Sequence, residues 1–283
     1  MTAYPLGTSS SGGRDGGEAP GTAMIELRKL TKAFGRKIAL RGIDLRVAPG
    51  ESLVIFGPNG AGKTTLIRIL SSLSRPTSGA VHIGGLDLKT HADGIRRHLG
   101  VVSHAPLLYD SLTADENLRF FGRLYGVSDL EARITLLLEQ VGLAARRKDL
   151  VRIFSRGMTQ RLSIARALLH DPEILLLDEP DTGLDPQAAE MLHRLLADLS
   201  GRSSASRMGS ADLPSNASGA SRSDANNIAR TIVTVTHNLE RGLALADRVV
   251  ILANGRIVYD ADAGDLAASE LRPLYDEHVG GSR

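Results

Sequence analysis

The stretch GPNGAGKTT runs from Gly57 to Thr65, directly after the apolar run SLVIF. Gly57, Gly62, Lys63 and Thr64 fall on the spacing G-x-x-x-x-G-K-[ST]. Glycines let a backbone wrap closely enough for its N–H groups to face phosphate. A helix starting at the end of the loop turns its positive end on the same anion. Lys63 is then suited to reach β- and γ-phosphates, and Thr64 to set its hydroxyl on Mg²⁺. The candidate nucleotide loop comprises Gly57, Pro58, Asn59, Gly60, Ala61, Gly62, Lys63, Thr64 and Thr65.

Two further runs end in groups that suit the same chemistry. ILLLDEP ends on Asp178 and Glu179, and TIVTVTH ends on His237. The carboxyl ends of buried parallel strands are where such sheets bind ligands. Asp178 is expected to hold Mg²⁺ through water, and Glu179 to orient or deprotonate an attacking water. His237 is expected to hydrogen-bond a γ-phosphate. A second anion site is suggested by FSRGMTQR, Phe154 to Arg161, where Ser155 caps a helix start with free N–H groups. Each of these residues also has an ordinary structural use, Ser155 as a plain N-cap and His237 as a lone structural histidine.

These groups need a scaffold. SLVIF, EILLLD and TIVTVT are short, continuously apolar runs that read as buried parallel strands. MIELRKL and IDLRV alternate as half-wet strands do. AVHIGGLDL reads as a hairpin around Gly84-Gly85, and VVILANGRIVYD as one with a type I′ turn at Asn254-Gly255. Between residues 105 and 170 the period turns helical. Thr113 and Glu116 form a capping-box pattern ahead of Leu118, Phe121 and Tyr125. Leu130, Ile134, Leu137, Leu138 and Val141 make a second apolar face, and Met158, Leu162, Ala165 and Leu169 a third. The helix after the phosphate loop is expected to bury Leu66, Ile69, Leu70 and Leu73.

Composition sets the boundaries. Residues 1–22 are Gly, Ser and Pro with scattered charge and read as a disordered tail. Residues 200–229, rich in Ser, Ala, Asn and Gly, read as a disordered insertion in a domain spanning 23–270, and 271–283 as a C-terminal tail. A formal net charge of +2 in 283 residues and the absence of Trp argue against a nucleic-acid partner. With no Cys, thiol-based zinc sites and disulfides are excluded. No apolar run is long enough to span a bilayer, and no signal-peptide core is seen, so the expected location is cytoplasmic. A membrane role would then need a partner that supplies the span.

Taken in order, GPNGAGKTT, SRGMTQRLSIARALLHDPEILLLDEPDTGLDP and VTH resemble the ATP-binding subunit of an ABC transporter, over Met24 to Leu266 apart from the Ser-rich insertion. The resemblance implies an α/β fold: a P-loop NTPase core with a parallel sheet, an antiparallel β subdomain, and a helical subdomain carrying the signature. It implies ATP and Mg²⁺ as cofactors, with Glu179 and His237 catalytic. It also accounts for two anion sites. In this family two nucleotide domains pair head to tail, so Ser155 and Gly157 would meet the γ-phosphate bound to the partner chain, and Asp185 of TGLD would face that partner. Phe34 in KAFGRKIAL matches the aromatic that stacks on adenine. The partners implied are a second copy, or a paralogous ATP-binding subunit, and an integral membrane permease on whose inner face the protein sits.

Two departures stand out. The usual Leu-Ser-Gly-Gly-Gln is here Phe154-Ser155-Arg156-Gly157-Met158. The family's Gln near the end of the strand in GVVSHAPLLYD, which touches Mg²⁺ and water, is missing; His104 or Ala105 stands there. The subfamily looks most similar to the haem-exporter ATPase of cytochrome c maturation, with drug, antibiotic or lipid exporters as the alternative. A soluble ATPase acting on ribosomes or DNA is a third reading. It is opposed by the single nucleotide domain and by an insertion without heptads.

Overall fold

A computed structural model describes residues 23–201 and 229–280. The expected tail over 1–22, and the expected insertion over 200–229 apart from its ends, lie outside the described residues. The strands are β1 (Ile25–Phe34), β2 (Lys37–Val47), β3 (Ser52–Phe56), β4 (Ser78–Ile83), β5 (Leu86–Asp87), β6 (Leu99–Val102), β7 (Ile174–Asp178), β8 (Thr231–Val235), β9 (Arg248–Ala253) and β10 (Arg256–Asp262). The helices are α1 (Lys63–Leu70), α2 (Leu88–Arg96), α3 (Ala114–Tyr125), α4 (Leu130–Gln140), α5 (Arg156–Leu168), α6 (Pro186–Leu199), α7 (Leu239–Leu245) and α8 (Ala268–Gly280).

β3, β7 and β8 are buried at every residue, which their unbroken apolar sequences require. They sit centrally in a sheet of order β10-β9-β3-β8-β7-β6, parallel throughout except where β10 returns against β9. That return is made by Asn254 and Gly255, both at positive φ, as a tight right-twisted hairpin demands. A second, antiparallel sheet has the order β2-β1-β4-β5, and Gly84-Gly85 makes its last turn. Leu40, Ile43, Leu45 and Val47 of β2 face the apolar layer that the two sheets share with α1 and α2.

α1 fills that layer with Leu66, Ile67, Ile69 and Leu70. The expected Leu73 is not part of it. The helix ends at Leu70, Ser72 turns the chain at φ +60, and Leu73 is left 54% exposed. On the other face of the main sheet, α3, α4 and α5 form a helical layer. Leu118, Ile134, Leu137, Leu138, Leu162 and Ala165 pack together and onto Val102, Leu175 and Leu177 of the strands. α3 starts on a full capping box, with Thr113 Oγ1 accepting from the Glu116 N–H at 3.1 Å and Thr113 N–H donating to the Glu116 carboxylate at 2.8 Å. Buried Asp115 pairs with Arg119 of the same helix at 2.7 Å and ties the helix to a later turn through Arg147 at 2.6 Å.

The end of the chain corrects the expectation of a tail over 271–283. Through residue 280 it is helix α8, and Leu271, only 1% exposed, packs with Leu274, Tyr275 and Val279 against Phe56, Val249 and Ile251. The spacing of those residues is an amphipathic helical stripe, partly disguised in sequence by Pro273 inside it. Among the described residues, no helix is long and apolar enough to cross a membrane.

Candidate nucleotide site

The site grows from the end of β3. A Cβ on Gly57 would overlap the Leu252 carbonyl oxygen, and one on Gly62, at φ +111, would lie 2.6 Å from the Ala39 carbonyl. The loop is therefore packed so closely against β2 and β9 that only glycine fits at its two ends. The carbonyl of Ala61 accepts from the Gly255 N–H at 3.0 Å, which fastens the loop to the β9–β10 turn. Lys63 is buried, and its Nζ donates to the carbonyls of Gly57 at 2.6 Å and Pro58 at 3.1 Å. Burial lowers its pKa, an effect opposed by Glu179 and Asp178. No side chain caps α1 and no acid occupies its first turn, so its leading N–H groups remain available to an anion.

Two adjacent strand ends, those of β7 and β8, supply the rest. Asp178 closes β7, almost fully buried, and accepts from Thr64 Oγ1 at 3.3 Å. Burial pushes its pKa up, while the Thr64 hydrogen bond pulls it back. Glu179 follows with φ +52, a left-handed backbone that is uncommon for a non-glycine. Its N–H donates to Val235 O at 2.9 Å, so the turn is anchored on β8. His237, just past β8, lies with Nδ1 2.7 Å from Glu179 Oε2, and Thr236 Oγ1 donates to the same oxygen at 3.4 Å. The sequence pointed His237 at phosphate; its hold on Glu179 had no sequence signal, because only the strand order makes them neighbours.

Ser155 caps α5, its Oγ accepting from the Met158 N–H at 3.2 Å. Gly157 lies against the loop that follows Glu179: a Cβ there would come within 3.3 Å of Gly183 O. Gln160 Nε2 donates to Pro180 O at 3.0 Å, and the Arg156 stem covers Gly183. The start of α5 is thus locked to residues 180–185, a contact the sequence reading missed although Gln160 is a polar interruption in a core-facing helix. Asp185 caps α6, accepting from the Ala188 N–H at 2.8 Å. Among the described residues, no hydrogen bond joins Ser155 or Gly157 to Lys63 or Thr64. Phe34 ends β1 with 55% of its surface exposed and Lys32 Nζ 4.8 Å from its ring centre. Phe34 is therefore a surface aromatic and no part of the core. His104 is exposed beyond the end of β6.

A close glycine loop, a buried lysine, and a hydroxyl beside a carboxylate form a cradle for nucleotide phosphates, and the oxygen donors Thr64 and Asp178 suit a hard divalent cation. Fold and site together define a P-loop nucleoside triphosphatase with a helical layer added to its sheet. The sequence model of the ABC transporter family matches residues 40–182. The Nod factor export ATP-binding protein I of Cupriavidus pinatubonensis is 35% identical, across 88% of this chain and 70% of its own length. The linearmycin resistance ATP-binding protein LnrL of Bacillus subtilis is 33% identical, across 87% and 71%. The daunorubicin resistance ATP-binding protein DrrA3 of Streptomyces coeruleorubidus is 36% identical, across 84% and 67%. Among solved structures, the dimeric post-hydrolysis cassette MJ0796 with ADP and Pi superposes with a TM-score of 0.71 at 26% identity, across 85% of this chain and 99% of that one. The chain belongs to the ABC transporter family, as an ATP-binding, ATP-hydrolysing domain.

Proposed function

We propose that this protein is the ATPase subunit of an exporter, acting as a head-to-tail pair beneath a separate membrane permease. ATP lies on the loop from Gly57 to Thr65, with Lys63 on its β- and γ-phosphates and Phe34 against the adenine. Thr64 and Asp178, the latter through water, would hold Mg²⁺, which supplies positive charge to the phosphate oxygens. Ser155 and Gly157 of the second chain close over the γ-phosphate, and Asp185 faces the same junction. Glu179 orients and takes a proton from the attacking water, and His237 fixes the Glu179 carboxylate and reaches the γ-phosphate. The observation that carries this reading is the Glu179–His237 contact of 2.7 Å beside the Thr64–Asp178 contact of 3.3 Å, on neighbouring strand ends next to the glycine loop.

The permease reading draws on an aromatic patch in the helical layer. Tyr109 meets Phe120 edge-on at 5.1 Å and stacks on Phe121 at 6.1 Å, and Leu124 beside them is 71% exposed. A contiguous apolar surface of this kind suits a partner. The relatives named above serve Nod factor export and linearmycin and daunorubicin resistance. They favour the drug or antibiotic exporter reading of the sequence and lend no support to haem. The protein would then work peripherally at the inner membrane face.

Glu179→Gln tests the proposal. It should lower ATP turnover at least ~100-fold, the usual weight of a general base, while size-exclusion chromatography shows a dimer that appears only with ATP. Turnover near the parent rate would remove Glu179 from the mechanism.

A further inference from the structure

The loop that follows Glu179 is held on one side by α5, through Gln160 and Arg156. Its other side meets α7. Arg241 Nη1 donates to Asp181 Oδ2 at 3.4 Å, and the Asp181 side chain keeps only 12% of its surface exposed against 41% for Arg241. Asp181 stands two residues after Glu179, and Arg241 four residues after His237. The pair therefore joins the segments that leave β7 and β8, the same two that carry Glu179 and His237. Among the described residues, Arg241 is the one cation within salt-bridge reach of Asp181. His193 of α6 lines the same small cleft, but burial pushes its pKa down, so it is neutral at pH 7.

A second path runs from Arg241 back to the Glu179 carboxylate. The Arg241 N–H donates to Asn238 Oδ1 at 3.1 Å, the Asn238 N–H to Thr236 Oγ1 at 3.1 Å, and Thr236 Oγ1 to Glu179 Oε2 at 3.4 Å. On the loop side, the Thr182 N–H donates to Glu179 O at 3.1 Å. The start of α7 has no slack: a Cβ on Gly242 would overlap the Phe56 ring and lie 3.1 Å from Thr236 Cγ2. α7 is thus a fixed post, and Asp181 is tethered to it.

Building on the role given to Glu179 above, we infer that Asp181 and Arg241 are positioning residues for hydrolysis: their ion pair fixes the loop behind Glu179 to the start of α7 and so keeps the Glu179 carboxylate aimed at the attacking water. One half-exposed contact adds little to global stability. Its loss leaves a mostly buried carboxylate without a cation, and that carboxylate turns toward water, moving backbone two residues from Glu179. A displacement of about 1 Å at a reacting group can cost ~100-fold in rate.

The test uses full-length protein carrying Arg241→Gln, Arg241→Lys, Asp181→Asn, or Arg241→Gln with Asp181→Asn. Arg241→Gln should lower kcat by about tenfold, with KM for ATP within about twofold of the parent and the melting midpoint within about 3 °C. Arg241→Lys should keep at least about half of the parent kcat, because the charge remains. The double variant should be no slower than Arg241→Gln alone, as coupled partners require. In the Glu179→Gln background, Arg241→Gln should lower the residual turnover no further, since the aim it protects is already gone. An unchanged kcat in Arg241→Gln, losses that multiply in the double variant, or an equal loss in the Glu179→Gln background overturns the inference and leaves the role of Glu179 standing. So does an Arg241→Gln protein that melts below the assay temperature, which would make the pair a structural one. Glu179→Gln turning over at the parent rate overturns both.

Discussion

At the scale of single residues, the strain at Glu179 is informative. A non-glycine at φ +52 costs on the order of 1–3 kcal/mol, which must be offset by its surroundings. The Val235 carbonyl and His237 supply that hold. His237→Ala should therefore lower kcat by about tenfold or more, since a freed Glu179 loses its aim, while ATP-dependent dimerisation in the Glu179→Gln background persists. Stopped turnover with lost nucleotide binding would instead assign His237 to binding. A different histidine sets a pH limit on stability. His170 stacks on Tyr125 at 3.9 Å and shares a 3.1 Å contact with Leu99 O; burial pushes its pKa down to about 4. Above about pH 6.5 the imidazole is neutral in folded and unfolded chains alike, and its contribution is fully present. As pH falls toward 4, the unfolded chain takes up a proton that the folded one refuses, and about 2–3 kcal/mol is lost. Urea midpoints at pH 7.5 and pH 5 should diverge in the parent protein and converge in His170→Phe. Equal pH dependence in both would exclude His170 as the cause.

At the scale of elements, legibility followed burial and locality. β3, β7 and β8 were readable because a strand covered on both faces must be apolar at each position. The capping box of α3 and the Asn254-Gly255 turn were readable because each is encoded within a few residues. α8 was not, because Pro273 and scattered charge hide a stripe whose meaning depends on a distant face of the sheet. The lock between α5 and residues 180–185 was hidden for the same reason: Ser155 is visible as a cap, but Gly157 against Gly183 is a tertiary fact. Phe34 was legible as an aromatic, while its exposure was not. The α8 finding carries its own prediction. Leu271→Ala should cost about 2–4 kcal/mol, the range for deleting a fully buried leucine, read as a lowered denaturation midpoint. A change below about 0.5 kcal/mol, typical of a surface position, would mean that α8 does not pack on the sheet in solution.

At the scale of the whole molecule, the starts of α1 and α5 are held by different loops. α1 begins at the glycine loop, whereas α5 begins on the loop of residues 180–185, and no hydrogen bond among the described residues bridges Ser155 to Lys63 or Thr64. The head-to-tail pair proposed above would resolve this, with each chain lending its α5 start to the phosphates held by the other. The arrangement predicts complementation. Lys63→Ala spoils the chain's own phosphate loop, and Ser155→Arg spoils only what it lends. Each variant alone has two defective sites per pair and should be inactive. In a mixed pair both defects fall on one site, and the other combines an intact phosphate loop with an intact Ser155. Mixed in the Glu179→Gln background, the two variants should retain one ATP per dimer, where each variant alone retains none. If mixed dimers form, shown by differently tagged copies purifying together, yet hold no nucleotide, then Ser155 and Lys63 do not meet across the pair and the head-to-tail reading fails.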